Sequence, residues 1–342
     1  MHDFLGRLID DSYEKLFLDD MPIEISDGGG CKSYSELLEQ CNKQLTDSNK
    51  EKVLVIKVGE MFDVIVINEI TKKLQENFVD KKFILLVDDY RKLDLDFPLI
   101  ESMAGWATVI HHAKEHDGEE MDSFKQINNH QRNKLFLSRN NKGKEHRIEW
   151  VKFLEDNDFK EKGFVSEGWN GFFLEHLNDD FIETVETFEQ IGYNNNEWNQ
   201  RYPSRDDKSL MSFYNDVFCE VVTSSECKES KLYGCFDSEK EWRPFLFCVI
   251  PQIIIFSNYD DYLRQQGFDL FDDVLDTSFY KIEDLEPKFQ IIKNNLDIIE
   301  KDLVVDKKFR EDIWIRLKNN QKNLFKGWGQ YFYRKIDELE NV

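Results

Sequence analysis

Hydrophobic and polar positions follow two different patterns along the chain, and these separate predicted strands from predicted helices. Nearly continuous apolar runs of strand length occupy residues 53–59, 83–89 and 107–113. Segments of helix length separate these runs, an order that is typical of a parallel sheet with helices on its faces. The first third of the chain is therefore predicted to contain an α/β lobe.

Both ends of the chain show helical spacing instead. In residues 1–50 the apolar positions with this spacing are Phe4, Leu5, Leu8, Ile9, Tyr34, Leu37, Leu38 and Cys41. In residues 287–342 one apolar stripe holds Ile292, Leu296, Ile299 and Leu303, and a second holds Leu324, Trp328, Tyr331 and Phe332. Stripes at this spacing are usually core faces of helices. We expect the last helix to pack back onto the first lobe.

A second set of apolar runs follows a polar stretch at residues 116–133. Strands are predicted at 135–137, 163–166, 218–226 and 252–256, with a short helix entered near Ser238 and a break at Pro251. We place a domain boundary near residue 130. The predicted fold is α/β, with two Rossmann-like lobes at 1–130 and 131–310, a cleft between them, and a C-terminal helix at 311–342.

The composition supports two globular domains and a strongly acidic surface. The 342 residues are 40% hydrophobic and 14% aromatic, and the formal net charge is -23. A chain of this length can bury two ordinary cores. Nucleic-acid backbones are bound by basic surfaces, so the charge disfavours a nucleic-acid partner, although a local basic groove could restore it.

The six cysteines form no Cys-x-x-Cys pair and are predicted to be reduced thiols. A zinc site from Cys219, Cys227 and Cys235 is an alternative, but their spacing fits no standard zinc motif. No signal-peptide pattern is present, and the longest apolar run is too short for a bilayer. We predict a cytoplasmic protein without a membrane span, in a bacterial or phage-infected cell.

A basic loop in the second half is the most informative charge pattern. It follows the strand at 135–137 and precedes a predicted helix, and its cations are Arg139, Lys142, Lys144, His146 and Arg147. A strand, a basic loop and a helix N-terminus together favour binding of a diphosphate. A solvated surface loop is the alternative interpretation.

The stretch 235–256 contains an acidic-basic pair, Glu239-Lys240, at the start of a predicted helix, followed by Arg243-Pro244 and Ile250-Pro251. With the strand and hydroxyl-rich loop before it, this order resembles the donor-binding half of two-lobed nucleotide-sugar glycosyltransferases. It is similar to bacterial α-1,3-fucosyltransferases and to glycosyltransferases of phages and marine bacteria. Ser238 stands where those proteins commonly have Thr, and no Gly precedes Ile250-Pro251. The alternative role of Glu239-Lys240 is a plain helix start.

The resemblance implies a donor site for a nucleotide-diphosphate sugar. Its residues would be Arg139, Lys144, His146, Arg147, Ser224, Ser225, Glu239 and Lys240. Fixed cations stabilise the charge that develops on a diphosphate leaving group. No Asp-x-Asp stands after a strand in a metal-binding context, and Asp88-Asp89 is the nearest approach, so we expect no metal and no cofactor. Glu239 would hold sugar or ribose hydroxyls.

The catalytic base is expected from the first lobe. The candidates are His111, His112, Asp88, Asp89 and Glu60, which follow or end the predicted strands. His112 and His116 could instead bind a metal, or simply pack.

Three functions fit these patterns. The first is transfer of a sugar to a glycan or another hydroxyl acceptor. The second is glycosylation of a modified DNA base, which needs a flipped-out or single-stranded base. The third is a non-catalytic protein that binds nucleotide sugars.

Overall fold

The computed structural model describes residues 12–18, 34–57, 64–87, 95–101, 106, 109–110, 132–140, 144–167, 213–224, 238–303 and 306–340. Packing of the Cα atoms divides the chain into two compact units. The first unit holds the described residues up to 110 together with Ser238 and 326–340. The second holds those from 132 to 325, apart from Ser238. The predicted boundary near residue 130 lies outside the described residues, and the predicted cleft stays a prediction.

The first unit is built on a parallel sheet of four strands in sequential order. Its strands are β1 (Tyr13–Phe17), β2 (Lys52–Lys57), β3 (Lys82–Val87) and β4 (Leu99–Glu101), paired as β1-β2-β3-β4. The helices α1 (Tyr34–Asp47) and α2 (Val64–Asn77) connect the first three strands. Apolar residues of β2, β3 and both helices form one buried cluster, as the uninterrupted apolar runs predict.

The second unit contains a second parallel sheet with a different strand order. Its strands are β5 (Lys134–Asn140), β6 (Gly163–Glu167), β7 (Val217–Thr223) and β8 (Ile250–Ile254), arranged β6-β5-β7-β8. Its helices are α3 (Glu145–Asp156), α4 (Glu239–Leu246), α5 (Tyr259–Gln265) and α6 (Leu285–Ile298), which continues as a π-helical turn (Ile299–Leu303). The last helix, α7 (Lys307–Glu340), belongs to the second unit up to Phe325 and to the first unit from Lys326 on. The predicted class, α/β with two parallel-sheet units, is confirmed.

Two predictions in the first unit are wrong. Residues 13–17 were expected in a helix but form β1, because a five-residue strand with mixed polar and apolar positions carries little periodic signal. The run at 107–113 was expected to be a strand, yet Val109 and Ile110 are helical. A short apolar run does not distinguish a buried strand from a buried helical turn. The fourth strand is β4, three residues long, which the pattern does not reveal.

In the second unit the helices follow the predicted stripes. The α3 side chains Ile148, Val151 and Leu154 are buried, as are Ile292 and Leu296 of α6. The helix α4 begins at Glu239, directly after Ser238, as predicted. The predicted break at Pro251 is wrong: this proline lies inside β8, the last strand in the sheet order. Prolines are tolerated on such edge strands, where a backbone N–H can be spared.

The acidic stretch 269–273 follows α5 and forms ion pairs with both α5 and α7. Arg316 of α7 donates to Asp269 at 2.5 and 2.8 Å and to Asp273 at 2.7 and 3.2 Å. Asp272 accepts from Arg264 of α5 at 2.6 Å. Phe271, between these aspartates, has a left-handed backbone with φ 64° and a fully buried ring. These contacts tie the stretch 269–273 to α5 and α7 and indicate a structural role.

No helix among the described residues is long and apolar enough to cross a membrane.

Candidate functional site

The strand order of the second sheet reverses between β5 and β7. One crossover leads from β5 to β6, and the next leads from β6 to β7 on the other side of β5. A reversal of this kind opens a crevice at the carboxyl ends of the two strands, where ligands of open α/β sheets bind. The residues at these ends are Arg139 and Asn140 on β5 and Thr223 and Ser224 on β7. The carboxyl ends of β5 and β7 are therefore the candidate site.

The first turn of α3 holds the end of β7. His146 Nε2 lies 2.9 Å from the carbonyl oxygen of Ser224. Arg147 Nη2 donates to the carbonyl oxygens of Thr223 and Ser224 at 3.1 and 2.9 Å. Both side chains are buried, whereas Lys144, at the N-cap position of α3, keeps some exposed surface. Two of the predicted donor-binding residues therefore support the backbone at the crevice.

His146 is uncharged in this environment. The pKa of His146 is lowered to about 3, and burial is the largest cause. The neighbouring charge of Arg147 also lowers this pKa, and its effect is larger than the opposite effect of the hydrogen bond to Ser224. A carbonyl oxygen can only accept, so in this hydrogen bond Nε2 carries the ring proton. The neutral ring thus orients the chain end without adding charge.

Ser224 presents a hydroxyl at the same place. Its backbone N–H donates to the carbonyl of Ile254 at 3.0 Å, which continues the pairing of β7 with β8. Its Oγ is buried and has no hydrogen-bond partner among the described residues, which omit 225–237. A buried hydroxyl left unpaired costs about 1–3 kcal/mol, so this atom suits a ligand oxygen.

A buried ion pair lies within the sheet below the crevice. Arg139 Nε and Nη2 both donate to Glu220 Oε1, at 3.1 and 2.8 Å. Tyr214 donates its hydroxyl to Glu220 Oε2 at 2.7 Å, and burial raises the pKa of Tyr214 well above its usual value. Glu220 is 1% exposed in the middle of the apolar strand β7. Arg139 is thus held by a carboxylate as well as placed near the crevice.

Uncharged side chains complete the polar core between β5 and β7. Thr223 Oγ1 donates to Asn140 Oδ1 at 2.7 Å, and Asn140 Nδ2 donates to Ser138 Oγ at 3.2 Å. Trp150 Nε1 of α3 also donates to Ser138 Oγ, at 3.1 Å. All four residues are buried. Such a network fixes side-chain positions because each member would be costly to leave unpaired.

A further cation caps the end of β8. Lys288 of α6 is 1% exposed, and its Nζ donates to the carbonyl of Ile255 at 2.9 Å. Its charge, with those of Arg147 and Lys144, helps to lower the pKa of His146. The carboxyl ends of both β7 and β8 therefore receive buried positive charge.

The pair Glu239-Lys240 occupies the first turn of α4 and is partly buried. Glu239 Oε1 lies 3.8 Å from Lys240 Nζ and 3.7 Å from Arg243 Nη1. Burial alone would raise the pKa of Glu239, but Lys240 and Arg243 outweigh it and bring the pKa to about 2. Burial lowers the pKa of Lys240, and Glu239 opposes that shift. Glu239 is thus a fixed carboxylate at neutral pH.

These two predicted parts of the site come together. Arg139 of β5 contributes to the low pKa of Glu239, and Arg147 of α3 contributes to the lowered pKa of Lys240. Residues that are distant in the sequence therefore share one electrostatic environment. The arrangement concentrates positive charge, a hydroxyl and one carboxylate at the crevice.

Several predicted site residues cannot be placed in this way. Glu60, Asp88, Asp89, His111, His112 and Ser225 lie outside the described residues. Within the part of the chain that the structure describes, no three His, Cys, Asp or Glu side chains come together as metal ligands. The described cysteines are buried free thiols at Cys41, Cys219 and Cys248, while Cys227 and Cys235 are not described.

The residues that build the crevice from below do not stand out in the sequence. These are Tyr214, Glu220, Asn140, Thr223 and Lys288. Of these residues, Glu220 could be recognised from the sequence. A glutamate inside an otherwise apolar parallel strand must be paired, because glutamates are almost never buried without a partner. The others are revealed only by the pairing of strands.

Comparison with known proteins gives little further information. No protein-family model matches the sequence, and no curated protein matches it. Among solved structures, the chain is similar to a UDP-forming α,α-trehalose-phosphate synthase from Burkholderia vietnamiensis, with 12% identity and a TM-score of 0.46. The similarity covers 90% of this chain and 80% of that one. A similarity of this degree does not identify an activity.

Proposed function

We propose that the protein is a glycosyltransferase that moves a sugar from a nucleotide-diphosphate donor to a hydroxyl of a glycan or other acceptor, without a metal ion. The observation that carries the proposal is the convergence of the α3 start and Glu239-Lys240 at the switch point of the second sheet. The resemblance of the Glu239–Pro251 region to donor-binding halves supplies the reaction class. A cytoplasmic location belongs to the same proposal.

The two half-buried lysines would meet the diphosphate directly. Lys144 and Lys240 both keep exposed surface at helix starts, where backbone N–H groups and the helix dipole also favour an anion. As the bond to the sugar breaks, negative charge grows on the leaving phosphate. A lysine held beside it stabilises that charge without any reorganisation.

The buried cations would act from beneath. Arg147 and Lys288 hold carbonyl oxygens at the ends of β7 and β8, so their charges add to the potential of the crevice while their side chains stay fixed. Ser224 Oγ would donate to a donor oxygen, and Glu239 would accept from sugar or ribose hydroxyls.

The test is calorimetry of the whole chain with GDP and with UDP, in the presence and absence of a chelator. We expect one of the nucleotides to bind equally well in both conditions, and turnover of the matching nucleotide sugar to release it. Binding that disappears with chelator would refute the metal-free part. Binding without any release of nucleotide from a panel of sugar donors would favour the non-catalytic alternative.

A further inference from the structure

Arg243 lies one helical turn after Glu239 on α4 and is more deeply buried. Its side chain is 5% exposed, whereas that of Glu239 is 28% exposed. The Arg243 Nη1 atom lies 3.7 Å from Glu239 Oε1, at positions i+4 and i of the same helix. A glutamate that precedes its basic partner at this spacing is the favourable order of such a pair. The helix therefore places a buried cation behind a carboxylate that keeps exposed surface.

A second arginine approaches the same carboxylate from the sheet. Arg139 of β5 donates to Glu220 at 2.8 and 3.1 Å, and its charge also helps to lower the pKa of Glu239. Arg243 also acts on Tyr214, which donates to Glu220: burial raises the pKa of Tyr214, and the charges of Arg139 and Arg243 oppose that shift. The two arginines and the two glutamates therefore form one charged cluster between the sheet and α4.

Stability does not account for a buried arginine at this position. A cation in the last turn of a helix is favoured by the helix dipole, but taking a guanidinium out of water costs more than this interaction contributes. Its neighbours on α4, Trp242, Phe245 and Leu246, are buried apolar side chains, so an apolar residue would suit the packing there. Such residues often replace buried ion pairs without loss of stability. A role toward Glu239 explains the charge.

Lys240 cannot fill this role while a donor is bound. Its Nζ lies 3.8 Å from the same Glu239 oxygen, but in the proposed function it meets the diphosphate. Its ammonium group is carried on a flexible stem, whereas the guanidinium of Arg243 is planar and almost completely buried. Arg243 therefore stays beside Glu239 when Lys240 turns to the phosphate.

We propose that Arg243 is a positioning residue of the donor site, which holds the Glu239 carboxylate in place to accept hydroxyl groups of the donor. The inference rests on the proposed function, because it takes Glu239 as the group that binds those hydroxyls. With so little of its side chain exposed, Arg243 acts through Glu239 rather than by touching the donor. Its charge also offsets the repulsion between that carboxylate and the diphosphate.

A double-mutant cycle tests this role. Calorimetry of the whole chain with GDP and UDP gives the nucleotide affinity of the wild type, Arg243→Met, Glu239→Ala and the double variant. We expect each single substitution to weaken binding on the order of 10-fold, the usual effect of losing a hydrogen bond to a charged group. The double variant should bind no more weakly than Glu239→Ala. Losses that multiply instead would show a purely structural role, because a distorted α4 would also misplace Lys240.

Two further variants sharpen the cycle. Arg243→Lys keeps the cation and should retain most of the affinity that Arg243→Met loses. Lys293→Met is the matched control, because it removes a largely buried cation of α6 whose i+4 partner is Asp297, at 2.9 Å, and it should leave nucleotide affinity unchanged. If Arg243→Met does not fold, the same cycle with Arg243→Lys decides, since any loss it causes must again vanish in the Glu239→Ala background.

The outcomes separate this inference from the proposed function. If neither nucleotide binds the wild-type chain, the proposed function fails and the role of Arg243 fails with it. If a nucleotide binds the wild type, and folded Arg243→Met binds it equally well or the two losses are independent, only the role of Arg243 is refuted.

Discussion

The two sheets of this chain differ in strand order and in what they bury. The first sheet runs β1-β2-β3-β4 without a reversal, and the buried residues described on its strands are apolar. The second reverses between β5 and β7, and at that point it buries Ser138, Asn140, Glu220 and Thr223. Burying polar side chains costs free energy. Because these side chains are concentrated where the strand order reverses, this is the part of the fold in which stability is lower in exchange for a binding site.

The largest effect should come from breaking the ion pair of the second sheet. Glu220→Gln keeps the shape of the side chain but leaves Arg139 with an uncompensated charge, so the free energy of unfolding should fall by about 3–5 kcal/mol. Leu54→Met, a shape-conserving change in the first sheet, should cost less than about 1.5 kcal/mol. Urea denaturation of both variants measures the difference. Similar losses would mean that the polar strand is no more sensitive than the apolar one.

The second largest effect should be a loss of turnover in variants of the proposed site at the second sheet. Under the proposed function, Lys240→Ala should reduce turnover on the order of 10²–10³-fold while changing donor affinity less. Glu239→Ala should mainly weaken donor binding, because a carboxylate that holds hydroxyls acts in the ground and transition states alike. Steady-state kinetics with a nucleotide sugar separates the two effects.

Lys152→Ala, an exposed lysine on α3, is the matched control and should change neither quantity. Unchanged turnover in folded Lys240→Ala would end its catalytic assignment. Both α4 residues would then serve only as a helix start.

Acid should weaken the second unit through His146. The pKa of this histidine is about 3 in the folded chain and about 6.5 when unfolded, so between these values the unfolded state binds one more proton. Stability should therefore fall as the pH drops below about 6.5, by at most about 1.4 kcal/mol per pH unit from this group. His146→Gln should show a shallower slope in denaturant titrations at several pH values. Parallel slopes would show that the ring is protonated in the fold.

The smallest contrast comes from two buried threonines. Thr223→Val in the second sheet leaves Asn140 Oδ1 without its donor and should cost about 1–3 kcal/mol. Thr71 of α2 donates to the carbonyl of Ile67, one turn back in the helix, so Thr71→Val should cost only about 0.5–1 kcal/mol. Thermal or urea unfolding of the pair measures this. Equal costs would show that the hydrogen-bond network at the reversal is no more sensitive to the loss of a hydroxyl than the helix α2 is.

Sequence patterns predicted the architecture better than the site. Long apolar runs identified β2, β3, β7 and β8, because strands buried on both faces need them. The short strands β1 and β4 escaped, since three to five residues hold too little periodicity. In the site, the ligand roles of Lys144, Lys240 and Arg147 stay predictions, and the sequence gives no sign that the Arg147 guanidinium also binds the end of β7. Local patterns show which residue types are present and not which strand ends they meet.

The proline in β8 bears on self-association. A strand at the rim of a sheet exposes backbone donors and acceptors that another chain can pair with, and this is a common route to aggregation. Pro251 has no N–H, so the row of donors along β8 is interrupted near its start. In the folded protein β8 is buried and Lys288 binds the carbonyl of Ile255, so the missing donor would act against strand addition mainly while the chain is still folding and its strand edges are uncovered.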